Sequence, residues 1–265
     1  MGFECRAKFK IRRTVMQGKR YAAIVLSAGK GTRMNHSVPK QYLMLEGNPV
    51  LYYSLLAFQK SLVHEIILVT GEDEIGYCQK ENIKKYGFTK VTEVVAGGKE
   101  RYHSVFCGLE TLKKGGRMPD YVMIHDGARP FVDGGTIARC AQAVEKFQAC
   151  VAGMPIKDTI KIADGALFAK ETPDRKYVWQ IQTTQVFEFL LIYEAYKELL
   201  DWEKAGKPVS VTDDAMVLEV TCNKKVKLVE GSYENIKITT PEDLRLAKAF
   251  FPDIWGMGGF SNTEK

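Results

Sequence analysis

The chain has 265 residues, 45% hydrophobic and 26% charged, with 23 Gly, 9 Pro and 6 Cys, a composition that excludes collagen-like, disulfide-scaffold and disordered classes. The net charge of +6 comes wholly from residues 1–20, where Arg6, Lys8, Lys10, Arg12, Arg13, Lys19 and Arg20 face Glu4 alone; the remainder is balanced and gives no sign of a nucleic-acid partner. The cysteines form no C-x-x-C pair or zinc-spaced cluster, and no apolar run reaches the roughly 18 residues of a membrane span, so reduced thiols, a cytoplasmic location and no membrane partner are expected.

Residues 1–20 are expected to be a basic extension ahead of the fold, the part before Met16 reading as a start-site extension. From Tyr21, short apolar runs alternate with helical periodicity, the pattern of a mostly parallel sheet covered on both faces. Strands are expected at Ala22 to Leu26, Glu65 to Thr70, Val91 to Ala96, Tyr121 to His125 and Ala149 to Met154. Helices are expected at Pro49 to Gln59, Asp73 to Tyr86, Ser104 to Lys113 and Asp133 to Phe147. After Pro155 the rhythm breaks: Ile156 to Ile162 and Ala166 to Lys170 flank Asp164-Gly165, which predicts a tight β-hairpin at about 155–175. A two-stranded ribbon has open edges, which suggests an arm for homodimerisation. Helices at Phe187 to Lys204 and Asp213 to Val220, strands at Val226 to Glu230 and Ile236 to Ile238, and a final helix capped by Thr240 and opened by Pro241 complete the chain. The expectation is an α/β, doubly wound domain over 21–250, with a tail at 251–265.

The segment after the first strand, Ser27-Ala28-Gly29-Lys30-Gly31-Thr32-Arg33-Met34, is a glycine-rich turn whose backbone N–H groups can face an anion. Met34 stands where a dinucleotide fingerprint needs its third glycine, and no Gly-Lys-Ser/Thr makes a P-loop. Arg33 and Lys40 add two cations, a combination suited to a polyphosphate. Further along, His125-Asp126-Gly127-Ala128-Arg129 falls at the carboxyl end of a strand, where open α/β sheets bind ligands; Asp126 and Arg129 read equally well as a structural ion pair. Thr212 reads as a helix cap as well as a ligand contact, and Lys237 is notable for lying in an apolar run.

Gly29-x-Gly31-x-x-Arg33-Met34 followed by Pro39-Lys40-Gln41-Tyr42 resembles the signature loop of nucleotidyltransferases, most closely the 2-C-methyl-D-erythritol 4-phosphate cytidylyltransferase family. Gly97-Gly98-Lys99-Glu100-Arg101-Tyr102-His103-Ser104, His125 to Phe131, Pro155 to Lys161, Thr172 to Arg175, Thr212 to Ala215 and Asn235 to Thr239 extend the resemblance over nearly all of residues 21–250. It implies a Rossmann-like nucleotidyltransferase fold with a dimerisation arm. Arg33, Lys40 and Lys237 are the implied catalytic cations. Ser27, Ala28, Gly29, Gly31, Gly98, Ser104, Asp126 and Gly127 are the implied contacts to CTP. Asp126, Arg129, Thr159, Arg175, Thr183 and Thr212 are those implied for the alditol phosphate, the arm residues serving the partner's site. The family commonly has Ala at Ser27, and Thr184 replaces Pro in its Thr-Pro-Gln.

The implied reaction is attack by a sugar-alcohol phosphate on the α-phosphate of CTP with release of pyrophosphate, aided by Mg²⁺ with Asp126 as the nominated contact. Ribitol 5-phosphate is the rival second substrate. A nucleotide-sugar glycosyltransferase or a non-catalytic nucleotide-binding regulator is more distant, since no Asp-x-Asp is present and all three cations are retained.

Overall fold

Tyr21–Leu26 forms β1, buried for all but its last residue because parallel strands lie on both sides of it and helices on both faces. The computed structural model describes residues 18–29, 39–116 and 118–255. A short β-hairpin of β2 (Met44–Leu45) and β3 (Asn48–Pro49) leads into α1 (Val50–Gln59), β4 (Glu65–Thr70), and α2 (Ile75–Tyr77), which continues as a π-helix over Cys78–Lys84. Then come β5 (Val91–Ala96), α3 (Arg101–Lys114), β6 (Tyr121–Asp126), α4 (Gly134–Phe147) and β7 (Ala149–Pro155). The arm carries β8 (Ile162–Ala163) and β9 (Ala169–Glu171); β10 (Trp179–Glu188), α5 (Phe189–Lys204), α6 (Asp214–Cys222), β11 (Lys227–Glu230) and α7 (Pro241–Trp255) follow.

The main sheet has the order β11-β7-β10-β6-β1-β4-β5, parallel except for β10, which runs antiparallel to both β6 and β7. Alternation along β1 sends Ala23 and Val25 to one face, against α1 and α4, and Ala22 and Ile24 to the other, against α3, α5 and α6. A third cluster of Leu45, Val50, Tyr53, Phe131, Ile238 and Ala247 fixes α7, and Trp255 Nε1 donates to Pro130 O at 3.2 Å.

Several expected elements differ. The helix foreseen over Asp73 to Tyr86 is divided between a 3₁₀ turn, α2 and the π-helix. Phe187 and Glu188 end β10 rather than begin a helix, and β10 itself was not foreseen: its Gln182, Thr183, Thr184 and Gln185 are all buried, a polar run that hydrophobic periodicity passes over. Its pairing with β7 shifts register between Ile181 and Gln185, around the unusual Thr184, whose buried hydroxyl has no partner.

On the arm, only Ile162–Ala163 and Ala169–Glu171 pair. The turn is wider than two residues because the Asp164 carboxylate accepts from Ala166 and Phe168 N–H, and the left-handed position falls on Leu167 (φ 66°) instead of Gly165. Ile236 to Ile238 is not a strand; Ile238 N–H donates to Ala128 O at 2.9 Å, docking the segment on the loop after β6 instead of on the sheet. The final helix does start as expected, with Asp243 Oδ2 accepting from Thr239 and Thr240 N–H and Thr240 Oγ1 accepting from Asp243 N–H.

Candidate active site

Ser27 keeps the chain beside β4 for one residue beyond β1, its N–H donating to Val69 O at 2.6 Å, after which Ala28 and Gly29 begin the glycine turn. Gly31 and Arg33 lie outside the described residues. The chain returns at Pro39 into a 3₁₀ turn, Lys40–Tyr42, that two buried side chains anchor. Gln41 Nε2 donates to Ser27 O at 2.7 Å, and Tyr42 Oη sits 3.0 Å from Thr70 Oγ1 and 2.9 Å from Glu74 Oε2. Lys40 is thus brought back to the mouth of β1.

Beside it, the loop from β5 to α3 is shaped by close backbone approach. A Cβ on Gly97 would stand 2.7 Å from both Ala28 Cβ and Ser104 Oγ, and one on Gly98 2.3 Å from His103 Cβ, so both positions exclude any side chain. Ser104 closes the loop, its Oγ accepting from Gly98 N–H at 3.1 Å while donating to Glu100 O at 3.2 Å. Tyr102 and His103 reach Glu203 on α5 at 2.7 and 2.8 Å and pin the loop from outside.

The electrostatic centre is Asp126, at the last position of β6. Its Oδ2 lies 2.7 Å from Lys237 Nζ and 4.0 Å from Arg129 Nε, and its Oδ1 lies 3.4 Å from Arg101 Nε. Arg101 in turn makes a bidentate pair with Asp214, at 2.7 and 2.8 Å; that carboxylate is wholly buried and also accepts from Tyr196 Oη. Burial alone would push the Asp126 carboxyl up, but Arg101, Lys237 and Arg129 together hold it well below the usual carboxylate range. Burial likewise opposes the Arg101 charge, and Asp214 and Asp126 overcome it, so that guanidinium is firmly cationic. Three cations therefore face two carboxylates here, a surplus that favours an arriving anion.

A hydrogen-bonded chain lies behind this centre. Asp126 N–H donates to Thr183 Oγ1 at 3.0 Å, Thr183 Oγ1 is 3.2 Å from His125 Nδ1, and His125 Nε2 is 3.1 Å from Arg129 O. Arg129 Nη1 donates to Asn235 O at 2.7 Å, and Asn235 Nδ2 to Thr183 O at 2.8 Å. Gly127 follows Asp126 with no room for a side chain: a Cβ would meet Leu51 Cδ1 at 2.8 Å.

The structure thus brings Asp126, Arg129, Thr183 and Lys237 together, and places Ser27, Ala28, Gly29, Lys40, Gly98, Ser104 and Gly127 around the same sheet edge. Thr159 and Arg175 are exposed on the arm, where Arg175 Nη1 donates to Lys157 O at 3.0 Å; among the described residues nothing joins them to the Asp126 centre. Thr212 is not the cap of α6. Asp213 is, its carboxylate accepting from Met216 N–H, the third of the helix, at 2.9 Å, because the helix starts at Asp214, one residue later than a Thr212 cap requires. Arg101 and Asp214 were not foreseen as central: they lie in motifs that the sequence does show, but nothing in it pairs residues 113 apart.

No group of three or more His, Cys, Asp or Glu side chains able to hold a metal occurs among the described residues, and no described helix is long and apolar enough to cross a membrane.

The IspD family model, 2-C-methyl-D-erythritol 4-phosphate cytidylyltransferase, matches residues 21–253. A relative of that name from Lachnoclostridium phytofermentans is 50% identical over 231 residues, covering 87% of this chain and 96% of its own length. Another, from Lachnospira eligens, is 50% identical over 229 residues, covering 86% and 97%. The crystal structure of 4-diphosphocytidyl-2C-methyl-D-erythritol synthase from Anaerococcus prevotii matches the fold with a TM-score of 0.75 at 34% identity, over 88% of this chain and 96% of that one. With the sheet order and the cation-ringed Asp126 already in place, this chain belongs to the 2-C-methyl-D-erythritol 4-phosphate cytidylyltransferase family.

Proposed function

We propose that the chain transfers the cytidylyl group of CTP to 2-C-methyl-D-erythritol 4-phosphate, giving 4-diphosphocytidyl-2-C-methyl-D-erythritol and pyrophosphate for isoprenoid precursor synthesis. The observation that carries the reading, beside membership of the family, is the surplus of cations around Asp126 at the sheet edge that also carries Ser27 to Gly29 and Lys40. The phosphate monoester nucleophile is ionised near neutral pH and needs no general base. Two anions have to be brought into line while charge passes to the departing pyrophosphate, so catalysis is positioning and electrostatic stabilisation.

In this reading Arg33, Lys40 and Lys237 neutralise the transferring and leaving phosphates. Ser27, Ala28, Gly29 and Gly31 offer backbone to the triphosphate, and the Gly98–Ser104 loop forms the slot for cytosine. Gly127 lets backbone approach closely, and Asp126 orients Lys237. Arg129 meets the alditol phosphate, with Thr183 and Thr212 on the same side. The donor set fits a Mg²⁺ only in part: Asp126 is one carboxylate, already met by Lys237 and Arg101, so the ion would take its other ligands from phosphate oxygens and water, as Mg²⁺ commonly does. When bound it supplies charge neutralisation of the triphosphate.

The arm supports a homodimer in which Thr159 and Arg175 complete the partner's site. Leu167 is 88% exposed, Phe168 73% and Tyr177 76%, apolar side chains on and beside the arm that a second copy would cover. The free thiols of Cys78, Cys107, Cys140, Cys150 and Cys222 support a cytoplasmic location. Pyrophosphate release from CTP with the methylerythritol phosphate, with ribitol 5-phosphate and with ATP, GTP and UTP as controls, tests the assignment. Release only with ribitol 5-phosphate would overturn the choice of second substrate. For the arm, sedimentation of a Phe168→Asp chain is expected to show monomer with lost activity.

A further inference from the structure

Glu203, in the last turn of α5, takes hydrogen bonds from two consecutive residues of α3: Tyr102 Oη donates to its Oε1 at 2.7 Å and His103 Nε2 to its Oε2 at 2.8 Å. Neighbouring positions on a helix point about 100° apart, so convergence on one carboxylate is imposed by that carboxylate and not by the helix. It also brings the two rings to 4.3 Å between centres. His103 has a second task. Its Nδ1 accepts from Glu100 N–H at 3.1 Å, the back-bond that closes a capping box and that Glu or Gln usually makes from this position. One imidazole thus ties α5 to the backbone of the loop between β5 and α3, accepting with one nitrogen and donating with the other. The loop also lies against the same residue, since a Cβ on Gly98 would stand 2.3 Å from His103 Cβ. On its inner side Gly97 closes on Ala28, and Gly98 N–H is held by Ser104 Oγ. The loop therefore has an inner limit at Ala28 and an outer limit set from α5 by Glu203, which belongs to none of the sequence motifs.

We propose that Glu203, Tyr102 and His103 are positioning residues that act through Gly98 and Ser104 to set the width of the slot holding the nucleotide base. The proposal rests on the reading of the Gly98–Ser104 loop as the cytosine slot for its kinetic consequences, but not for its geometry. The base lies away from the reacting phosphates, so its contacts are the same in the bound substrate and in the transition state. Loosening the slot then weakens binding without slowing the chemical step. A ligand that carries phosphates and no base is indifferent to it.

The test joins steady-state kinetics to a measurement on the ligand-free chain. Glu203→Ala removes both bonds and is expected to raise KM for CTP about fivefold or more, with kcat and the KM for the alditol phosphate within about twofold. Inhibition by pyrophosphate, which lacks a base, is expected to change by less than about twofold. His103→Ala should match Glu203→Ala. His103→Gln, whose amide can accept from Glu100 N–H and donate to Glu203, is expected to bring KM for CTP back to within about twofold of wild type. An unchanged KM for CTP in Glu203→Ala would overturn the proposal, and so would pyrophosphate affinity lost in the same proportion. Variants that lose stability in urea while each folded molecule keeps the wild-type KM would overturn it as well. Amide hydrogen exchange of the free chain is expected to quicken about tenfold or more at Gly98, Glu100 and Ser104 in Glu203→Ala, with β6 unaffected. Unchanged exchange overturns the clamp whether or not the wild-type chain turns over CTP. Quickened exchange beside an inactive wild-type chain would instead overturn the functional reading alone.

Discussion

Replacing Arg101 by Met should be among the most damaging single changes in the chain. Its guanidinium is the bidentate partner of Asp214, whose carboxylate is wholly buried and would keep only the Tyr196 hydroxyl and the first turn of α6. An uncompensated buried charge costs about 3–5 kcal/mol, and the remaining Tyr196 bond and the helix N-terminus place this case near ~3 kcal/mol. With a urea dependence of about 3 kcal/mol per M, the unfolding midpoint should fall by about 1 M. Arg101→Lys keeps the charge but not the fork and should fall in between. Adding Asp214→Asn to Arg101→Met removes the stranded charge and should recover at least about half of the loss, because a neutral pair in the interior costs far less than half of a broken ion pair. Equilibrium urea unfolding followed by circular dichroism measures all four chains. A midpoint shift under about 0.3 M for Arg101→Met, or no recovery in the double variant, would refute the view that Arg101 is what compensates the buried Asp214 charge.

Burial lowers the His125 pKa to about 4, whereas in the unfolded chain it returns to about 6.5, so the folded state refuses a proton that the unfolded state accepts. Stability from this residue should be complete above pH ~6.5 and decline as pH falls toward ~4, by about 3 kcal/mol in all. Thermal unfolding between those values should show a flatter pH dependence in His125→Gln than in wild type. Lys40→Ala should lower kcat at least about a hundredfold, ~2.7 kcal/mol of transition-state stabilisation, in steady-state pyrophosphate release; a near-normal kcat would remove Lys40 from the mechanism. A chain beginning at Met16 should keep its kcat/KM, and loss of turnover on that truncation would assign residues 1–15 a part in the site.

The parallel half of the fold was legible because β1, β4, β6 and β7 are buried on both faces and so read as mostly apolar runs; these four, and the half-exposed edge strand β5, fall within a residue of their expected limits. β10 was not, because Gln182, Thr183 and Gln185 at its centre are buried with hydrogen bonds to Asn235, Asp126, Asp213 and one another, and polarity at the surface and polarity in a bonded interior look alike in a sequence. Ile236 to Ile238 failed in the opposite sense. Its alternating apolar residues resemble a strand, yet Ile238 enters the third core cluster while Lys237 turns to Asp126, so the alternation serves two different neighbours rather than two faces of a sheet. The site's members were visible as motifs; that Arg101, Asp214, Asp126 and Lys237 make one charge network is a fact of tertiary proximity between residues up to 136 positions apart in numbering, which no local pattern carries.

The place of β10 has a consequence for how the molecule is made. β6 and β7 are consecutive strands, yet in the finished sheet β10 stands between them, and β11 joins only on the far side of β7. During synthesis, β1, β4, β5 and β6 can assemble as they emerge, but β7 and α4 have no strand to pair with until residues 179–188 have been added, and the arm is already complete before that gap closes. Lys237 lies beyond β11, so a chain truncated or stalled before it should hold most of the sheet and yet lack one of the three cations that ring Asp126.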